Sequence, residues 1–209
     1  PESLVFVDDN PAERHIVEEQ LSGVSAPDIG QIQSYIKVLD RSGFFEVTSI
    51  SEDDVKRNQM YKENAKRVQS EAKYENYSDY LQSLDMKAVI KPFEAMYFAR
   101  IAQLSNKSNQ FNLTTRRYTQ EEIEQIAADE GYITLYGKLE DRFGDNGVVS
   151  VAIGHLIGDV CYVELWIMSC RVLKRDMEFA MMDCFVEQCR EKELHKIVGY
   201  YYPTAKNKM

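Results

Sequence analysis

The sequence predicts an α/β protein whose larger, C-terminal part is a mixed sheet with flanking helices. After residue 80 the hydrophobic pattern indicates a strand, helices, three antiparallel strands, a long helix and a closing strand. An apolar run followed directly by a helical segment near the N-terminus indicates a piece of parallel α/β layer. The 209 residues are 44% hydrophobic and 28% charged, which is typical of a globular protein with one good core and a smaller unit.

The first 79 residues are predicted to form a small α/β piece, residues 1–50, and a helical linker, residues 51–79. The small piece has one strand and two helices, expected at residues 4–7, 12–21 and 31–39. In the linker, Ser51 has the position of a helix cap, and apolar residues recur at helical spacing. Because the chain enters a buried-type strand almost at once, we expect it to be part of something longer.

Residues 80–209 are predicted to fold as one unit. Strands are expected at residues 86–90, 132–137, 147–153, 160–168 and 195–201. Helices are expected at residues 95–104, 119–130 and 176–192, the second beginning with a capping box of Thr119 and Glu122. This is the order of elements in an acetyltransferase-type fold.

The charge and the hydrophobic runs exclude several classes of partner. The net charge is −9, so the average surface repels a phosphate backbone, and nucleic acid is not expected. No apolar run approaches the roughly 20 residues that span a bilayer, so no membrane is expected either. The four cysteines lack metal or disulfide spacing, which favours reduced thiols in a cytoplasmic protein.

A pair of carboxylates follows the first predicted strand. Asp8 and Asp9 have the position in which paired carboxylates commonly hold Mg²⁺. The alternative is a helix cap with a spare surface charge.

The densest polar cluster in the chain is the segment 107–117. Its carboxamides, hydroxyls and cations suit a ligand with hydroxyl groups and a phosphate or carboxylate. The candidate ligand-binding residues are Asn109, Gln110, Asn112, Thr114 and Arg116. The alternative is a polar loop that leads into the helix at Thr119.

Cys170 is the candidate nucleophile, since it follows the predicted strand 160–168 and precedes the long helix. Nearby cations stabilise a thiolate, and Arg171 and Lys174 are candidates for binding the phosphate of a ligand. The alternative is a buried structural cysteine. Packing in the core or at the surface is our interpretation of Cys161, Cys184 and Cys189. His155, at the end of a strand, is a candidate base, with a structural histidine as the alternative.

Five motifs resemble one protein family along essentially the whole chain. They are VFVDDNPAER (5–14), LSNKSNQFNLTTRRYT (104–119), DRFGDNG (141–147), IMSCRVLKRDMEFAMMD (167–183) and YYPTAKN (201–207). In these motifs the chain resembles the FkbH-type proteins of polyketide biosynthesis. That family joins a haloacid-dehalogenase-like (HAD-like) phosphatase domain to a GNAT-like acyltransferase domain, GNAT standing for GCN5-related N-acetyltransferase.

The resemblance implies an activity. Family members resemble glyceryl transferases, which take D-1,3-bisphosphoglycerate, a small phosphorylated three-carbon acid, and pass the glyceryl group through an enzyme cysteine to an acyl carrier protein. By position, Cys170 would carry the acyl group, and Asn109, Gln110, Asn112 and Arg116 would line the polar end of the site. Asp8 and Asp9 match the last acidic motif of the phosphatase domain, which helps to hold Mg²⁺.

The sequence departs from the family pattern in two places. The DxDxT motif of the phosphatase nucleophile is absent, so only the tail of the HAD-like domain is expected, and Mg²⁺ is expected only with the complete domain. The phosphate loop of acetyltransferases usually reads RxxGxG/A, but here Lys174 stands in a glycine position. We therefore expect the single phosphodiester of a carrier phosphopantetheine to fit better than the pyrophosphate of coenzyme A.

Two other functions remain open from the sequence. One is a conventional acetyl-CoA-dependent N-acetyltransferase, which would not need Cys170. The other is a non-catalytic module that docks a carrier protein.

Overall fold

The computed structural model describes residues 4–46 and 57–208. The chain divides into two compact units, one ending at Asp54 and one beginning at Val55, and each is described here by itself. The predicted helix start at Ser51 and the boundary between residues 50 and 51 lie outside the described residues.

The N-terminal unit is built around helix α1 (Pro11–Gln20), with a 3₁₀ turn (Ile32–Ser34) leading into α2 (Tyr35–Arg41). The side chain of Asn10 caps α1, and Pro11 occupies a first-turn position where its missing N–H costs nothing. The predicted strand at residues 4–7 is wrong. It forms only one parallel bridge, between Val5 and Ser25, because a strand needs a longer neighbouring segment to complete its ladder.

The helices of the C-terminal unit follow the predicted order, with one short helix, Tyr77–Ser83, that was not predicted. They are α3 (Arg57–Glu71), α4 (Tyr77–Ser83), α5 (Phe98–Lys107), α6 (Gln120–Ala128) and α7 (Met177–Glu191). The capping box of Thr119 and Glu122 is present at α6. The segment assigned to a linker is largely α3, and it belongs to the same compact unit as the sheet. Within the described ranges, no helix has the length and apolarity to cross a membrane.

One six-stranded sheet forms the centre of this unit. Its strands are β1 (Lys87–Lys91), β2 (Phe111–Asn112), β3 (Tyr132–Asp141), β4 (Gly144–Ile157), β5 (Val160–Met168) and β6 (Lys196–Gly199). Strands β1, β3, β4 and β5 are antiparallel neighbours, β2 is antiparallel to β5, and β6 runs parallel to β5. This confirms the predicted mixed sheet with flanking helices, whereas the short strand β2 was not predicted.

The two faces of the sheet are covered by different helices. Helix α7 packs on one face, where Met177, Met181 and Phe185 are buried against β3, β4 and β5. Helices α5 and α6 cover the other face, where Ile101 and Ile123 are fully buried. The strands between them alternate their side chains between two cores, which explains why they have few exposed positions.

Candidate functional site

A bulge in β5 shapes the candidate site. Ile153 of β4 pairs with Leu165, but the next residue, Gly154, pairs with Val163, so Glu164 is left over in the ladder. An extra residue bends its strand and re-aims the side chains beside it. The bulge is fixed from outside the strand by the Thr114 hydroxyl, which donates to the carbonyl of Glu164 at 2.6 Å.

The outer edge of β5 is shared by two chain segments. Strand β6 pairs with residues 160–163, and β2 pairs with Ile167 and Met168 beyond the bulge. The segment after β2 continues along the same edge, since the Leu113 N–H donates to the Trp166 carbonyl at 3.3 Å. On its far side the Leu113 carbonyl accepts from the Tyr202 N–H at 2.8 Å. The polar segment 107–117, which was predicted to bind a ligand, therefore lies between β5 and the part of the chain around Tyr202.

Two of the predicted binding residues hold this segment in place. Asn112 is 1% exposed; its side chain accepts from the Thr115 N–H at 2.9 Å and donates to the Ser108 carbonyl at 3.3 Å. Thr114 is likewise buried. These hydrogen bonds explain Asn112 and Thr114 as residues that shape a polar loop, which was the alternative to a ligand-binding role. By contrast, Asn109 and Gln110 are exposed at the start of the segment.

We expect Asn112→Ala to lower the free energy of unfolding by about 2 kcal/mol, because it leaves buried backbone groups without partners. Gln110→Ala, at an exposed position of the same segment, should change that free energy by less than about 0.5 kcal/mol. Urea unfolding of both variants measures the difference. Equal effects would contradict the structural role of Asn112.

Cys170 lies in an exposed turn just beyond the end of β5. The Ser169 N–H donates to the Val149 carbonyl at 2.7 Å, and a 3₁₀ turn runs over Cys170–Val172. The β2–β5 register pairs Phe111 with Met168, and continuing it by one position sets Gln110 opposite Ser169. The exposed carboxamides of the polar segment thus lie at the same end of β5 as the Cys170 thiol.

The cations after Cys170 do not gather around it. The Arg171 guanidinium contacts the sulfur of Met60 at 3.1 Å, and Arg175 is turned inward to Asp141 at 3.1 Å. Lys174 is exposed and has a left-handed backbone, with φ of 64°. Lys174 is therefore the cation of this loop that is most accessible to a ligand.

His155 lies in a second polar cluster, centred on Glu164. The His155 Nδ1 is 3.6 Å from the Glu164 carboxylate, and the other carboxylate oxygen accepts from Arg116 at 2.5 Å. Burial raises the pKa of the nearby Tyr118 hydroxyl, which lies 3.5 Å from the same carboxylate. The His155 ring stacks on Tyr132, with centroids 4.6 Å apart. A histidine beside a carboxylate on an accessible surface can accept and donate protons.

Glu164 is a candidate functional residue that the sequence reasoning missed. The signal was a single carboxylate in the otherwise apolar strand VCYVELWIM. A charged residue in such a strand predicts either an edge or a polar site, but the strand pattern alone does not choose between them.

The two candidate catalytic residues lie at opposite ends of β5. His155 is opposite Tyr162, whereas Cys170 lies two residues beyond Met168. With a rise of about 3.3 Å per residue, Tyr162 and Met168 alone are separated by about 20 Å. The structure thus places His155 and Arg116 beside the Glu164 carboxylate, with the Thr114 hydroxyl on the Glu164 carbonyl. Cys170 lies at the other end of β5, where Asn109 and Gln110 begin the polar segment, so the two candidate sites are not joined.

The described residues do not fit a magnesium site. Asp8 accepts from the Asn10 N–H at 2.8 Å, as part of the entry into α1, and Asp9 is exposed. Across residues 4–46 and 57–208, no three acidic, histidine or cysteine side chains converge on a point where a metal could bind. Two adjacent carboxylates alone leave most ligand positions of Mg²⁺ to other groups.

The loop before α7 does not fit a pyrophosphate. The residue at the helix N-cap is Asp176, whose carboxylate brings negative charge to the end of the helix that would attract phosphate. Both Lys174 and Asp176 have positive φ, so this loop reaches the helix without the glycines that allow close backbone approach.

No protein-family model matches the sequence, and no curated protein does. Among solved structures, the chain is similar to the ribosomal-protein-S18-alanine N-acetyltransferase from Escherichia coli. The identity is 9% and the TM-score 0.42, over 53% of this chain and 64% of that chain. This chain thus spans slightly less than two thirds of that protein.

Two further solved structures are similar over a comparable share of this chain. An aminoglycoside antibiotic 6'-N-acetyltransferase from Acinetobacter baumannii is 7% identical, with a TM-score of 0.45, over 57% of this chain and 82% of that chain. The PaiA N-acetyltransferase from Thermoplasma acidophilum, in complex with coenzyme A, is 9% identical, with a TM-score of 0.38, over 52% of this chain and 75% of that chain. Identities of 7–9% leave the substrates of this chain to be inferred from its own residues.

Proposed function

We propose that the protein is an acyltransferase that carries its acyl group as a thioester on Cys170. One observation carries the proposal. All four cysteines lie in the described part of the chain, and Cys170 alone is exposed, whereas Cys161 and Cys189 are buried and Cys184 is half-buried. A nucleophile must reach a substrate from solvent, and of the four thiols Cys170 is the most accessible.

The chemistry at Cys170 has two steps. The thiolate attacks the acyl carbon of an acyl phosphate, the carbon–oxygen bond to phosphate breaks, and inorganic phosphate leaves with the electron pair. The thiol of the acceptor then attacks the thioester and gives its proton to solvent, and Cys170 leaves as a thiolate. The amide N–H groups of Asn109 and Gln110 are proposed to hold the hydroxyl or carbonyl oxygens of the acyl group.

The proposed donor is a small phosphorylated three-carbon acid, D-1,3-bisphosphoglycerate, and the proposed acceptor is an acyl carrier protein. The inward-turned Arg175 and the N-cap carboxylate of Asp176 support a carrier arm, with one phosphodiester, over the pyrophosphate of coenzyme A. Lys174, exposed in the loop that follows Cys170, is the residue proposed to bind that phosphodiester. Removal of the second phosphate of the donor would need Mg²⁺ and a complete HAD-like domain.

Cys170→Ser should abolish acyl transfer, lowering its rate by at least about 1000-fold, because a hydroxyl without a base does not replace a thiolate. The measurement is intact-mass spectrometry of the protein with D-1,3-bisphosphoglycerate, followed by peptide mapping. Wild type should carry an acyl adduct on Cys170 that disappears when a phosphopantetheinylated carrier protein is added. Cys184→Ser is the matched control and should keep the adduct. A folded wild-type protein with no adduct on Cys170 would refute the mechanism.

A second candidate is an acetyl-CoA-dependent N-acetyltransferase, favoured by the polar cluster around Glu164. There, Glu164 and His155 would take the proton of an attacking amine without any covalent enzyme intermediate. Acetyl transfer that survives Cys170→Ser but not Glu164→Gln would support this candidate. Carrier binding without an adduct or transfer under either condition would instead support a docking module.

A further inference from the structure

A concave depression lies between the end of α3 and the start of α4. Its volume is about 480 Å³, and it is formed by residues 68–80. Its aromatic lining consists of Tyr74, Tyr77 and Tyr80, and Glu71 and Glu75 are the acidic residues of the wall. A volume of this size is sufficient for a small organic molecule.

The three tyrosines form an angled wall. The ring of Tyr80 is 2% exposed and lies deepest, with the Tyr74 and Tyr77 centroids 5.9 Å and 5.7 Å from it. The outer rings are inclined to it by 54° and 47°, and they are 36% and 42% exposed. Rings arranged in this way enclose a corner instead of stacking flat on each other.

The polar tips of these tyrosines are held by the protein. The Tyr77 hydroxyl donates to the Lys174 carbonyl at 2.8 Å, and the Tyr80 hydroxyl donates to the Arg67 carbonyl at 3.4 Å. A hydrogen bond with Ser83 lowers the pKa of Tyr74, which places that hydroxyl next to α4. Because the hydroxyls are engaged, the aromatic carbon of the rings is what remains to contact a ligand.

The charged side chains that line the depression are both acidic. Glu71 and Glu75 are exposed, and Glu71 is close enough to Tyr77 to add to the effect of burial in raising the pKa of that phenol. The C-terminal end of α3 adds partial negative charge through the helix dipole. Arg142 and Lys73 are close enough to Tyr74 to contribute to lowering its pKa, but neither side chain lines the depression. The Arg142 guanidinium also donates to the Ser70 hydroxyl at 2.6 Å and lies over the Phe143 ring.

From this combination we infer that the depression is a binding site for a small organic cation with an alkylated ammonium head. Aromatic faces attract such cations, and the effect is larger when carboxylates stand nearby. An anion would be repelled by Glu71 and Glu75. A bare metal ion needs several oxygen ligands at short range and gains nothing from ring faces.

Titration calorimetry of the full chain with choline and with its uncharged isostere 3,3-dimethylbutan-1-ol tests the inference. We expect choline to bind at least about ten-fold more tightly than the alcohol, because the shape is the same and only the charge differs. Tyr77→Leu should weaken choline binding by about ten-fold, and Glu71→Gln by about three-fold. Tyr61→Leu, at a 68% exposed position of helix α3 that does not line the depression, is the control and should leave choline binding unchanged.

A peptide with one trimethyllysine identifies the source of the cation. Tighter binding of the peptide than of choline would indicate a protein side chain, and the reverse a free metabolite. Equal binding of choline and the alcohol would overturn the inference, as would no saturable choline binding. Unchanged choline binding in a folded Glu71→Gln Tyr77→Leu double variant would overturn it too.

Discussion

Replacing Asp141 by alanine is expected to lower the free energy of unfolding of the C-terminal unit by about 3–5 kcal/mol. The Asp141 side chain is fully buried and accepts two hydrogen bonds from Arg67, at 2.7 Å and 2.9 Å. It also accepts one from Arg175 at 3.1 Å. Removing the carboxylate leaves two guanidinium groups, 3% and 8% exposed, without their counter-charge.

The network explains why the loss should be large. It connects α3, the β3–β4 turn and the loop that leads from Cys170 to α7, so three elements lose a common anchor. The turn itself depends on Asp141, which accepts from the Phe143 N–H at 2.9 Å. A buried charge without its partner destabilises far more than the intact pair stabilises.

The pH dependence gives a second measurement of the same carboxylate. Burial alone would raise the pKa of Asp141, but the hydrogen bonds from Arg67 and Phe143 outweigh it and lower the pKa below its usual value. A depressed folded-state pKa contributes stability above the unfolded-state pKa, and this contribution is lost as pH falls through the folded-state value. The difference between wild type and Asp141→Asn should therefore shrink below about pH 4.

Urea unfolding at pH 7 and at pH 3 measures both effects. Glu140→Ala, at the exposed neighbouring position, is the control and should stay within about 0.5 kcal/mol of wild type. A loss under about 1 kcal/mol for Asp141→Ala would mean that the two arginines find other partners.

Local patterns were sufficient to predict most elements of the C-terminal unit. The strand 160–168 is found as predicted, and α6 begins at its capping box because both residues of the box are three positions apart in sequence. Strands β3 and β4 are longer than predicted. The turn-forming residues between them, Asp141 to Asn146, mostly belong to the strand ends of a tight hairpin.

Features that depend on distant pairing could not be predicted in this way. The two-residue strand β2 exists because Phe111 and Asn112 meet the edge of β5, more than 50 positions away in sequence. The bulge at Glu164 depends on the β4 register, and Arg175 turns inward because Asp141 is there. For the same reason cations were expected near Cys170, whereas Arg171 and Arg175 contact other partners.

Gly154→Ala is expected to lower the free energy of unfolding by about 2–3 kcal/mol, because it overpacks the face of the sheet under α7. A Cβ at this position would lie 2.4 Å from the Cys161 sulfur and 2.6 Å from the Phe185 ring. Both neighbours are buried, and an aromatic ring fixed between a helix and a sheet has little room to turn. Helix α7 would have to move away from the sheet, and the Cys170 loop would move with it.

Gly137 provides the matched comparison on the same face. A Cβ there would lie 2.2 Å from the methyl end of Met177 and 2.8 Å from the Met181 sulfur. Methionine ends bend aside more easily than a ring, so Gly137→Ala should cost less than about 1.5 kcal/mol. Phe185→Leu should partly rescue Gly154→Ala but not Gly137→Ala, which a double-mutant cycle measured by urea unfolding detects. Equal costs for the two glycines, or no coupling between Gly154 and Phe185, would mean that α7 adjusts as a whole instead of being held by this ring.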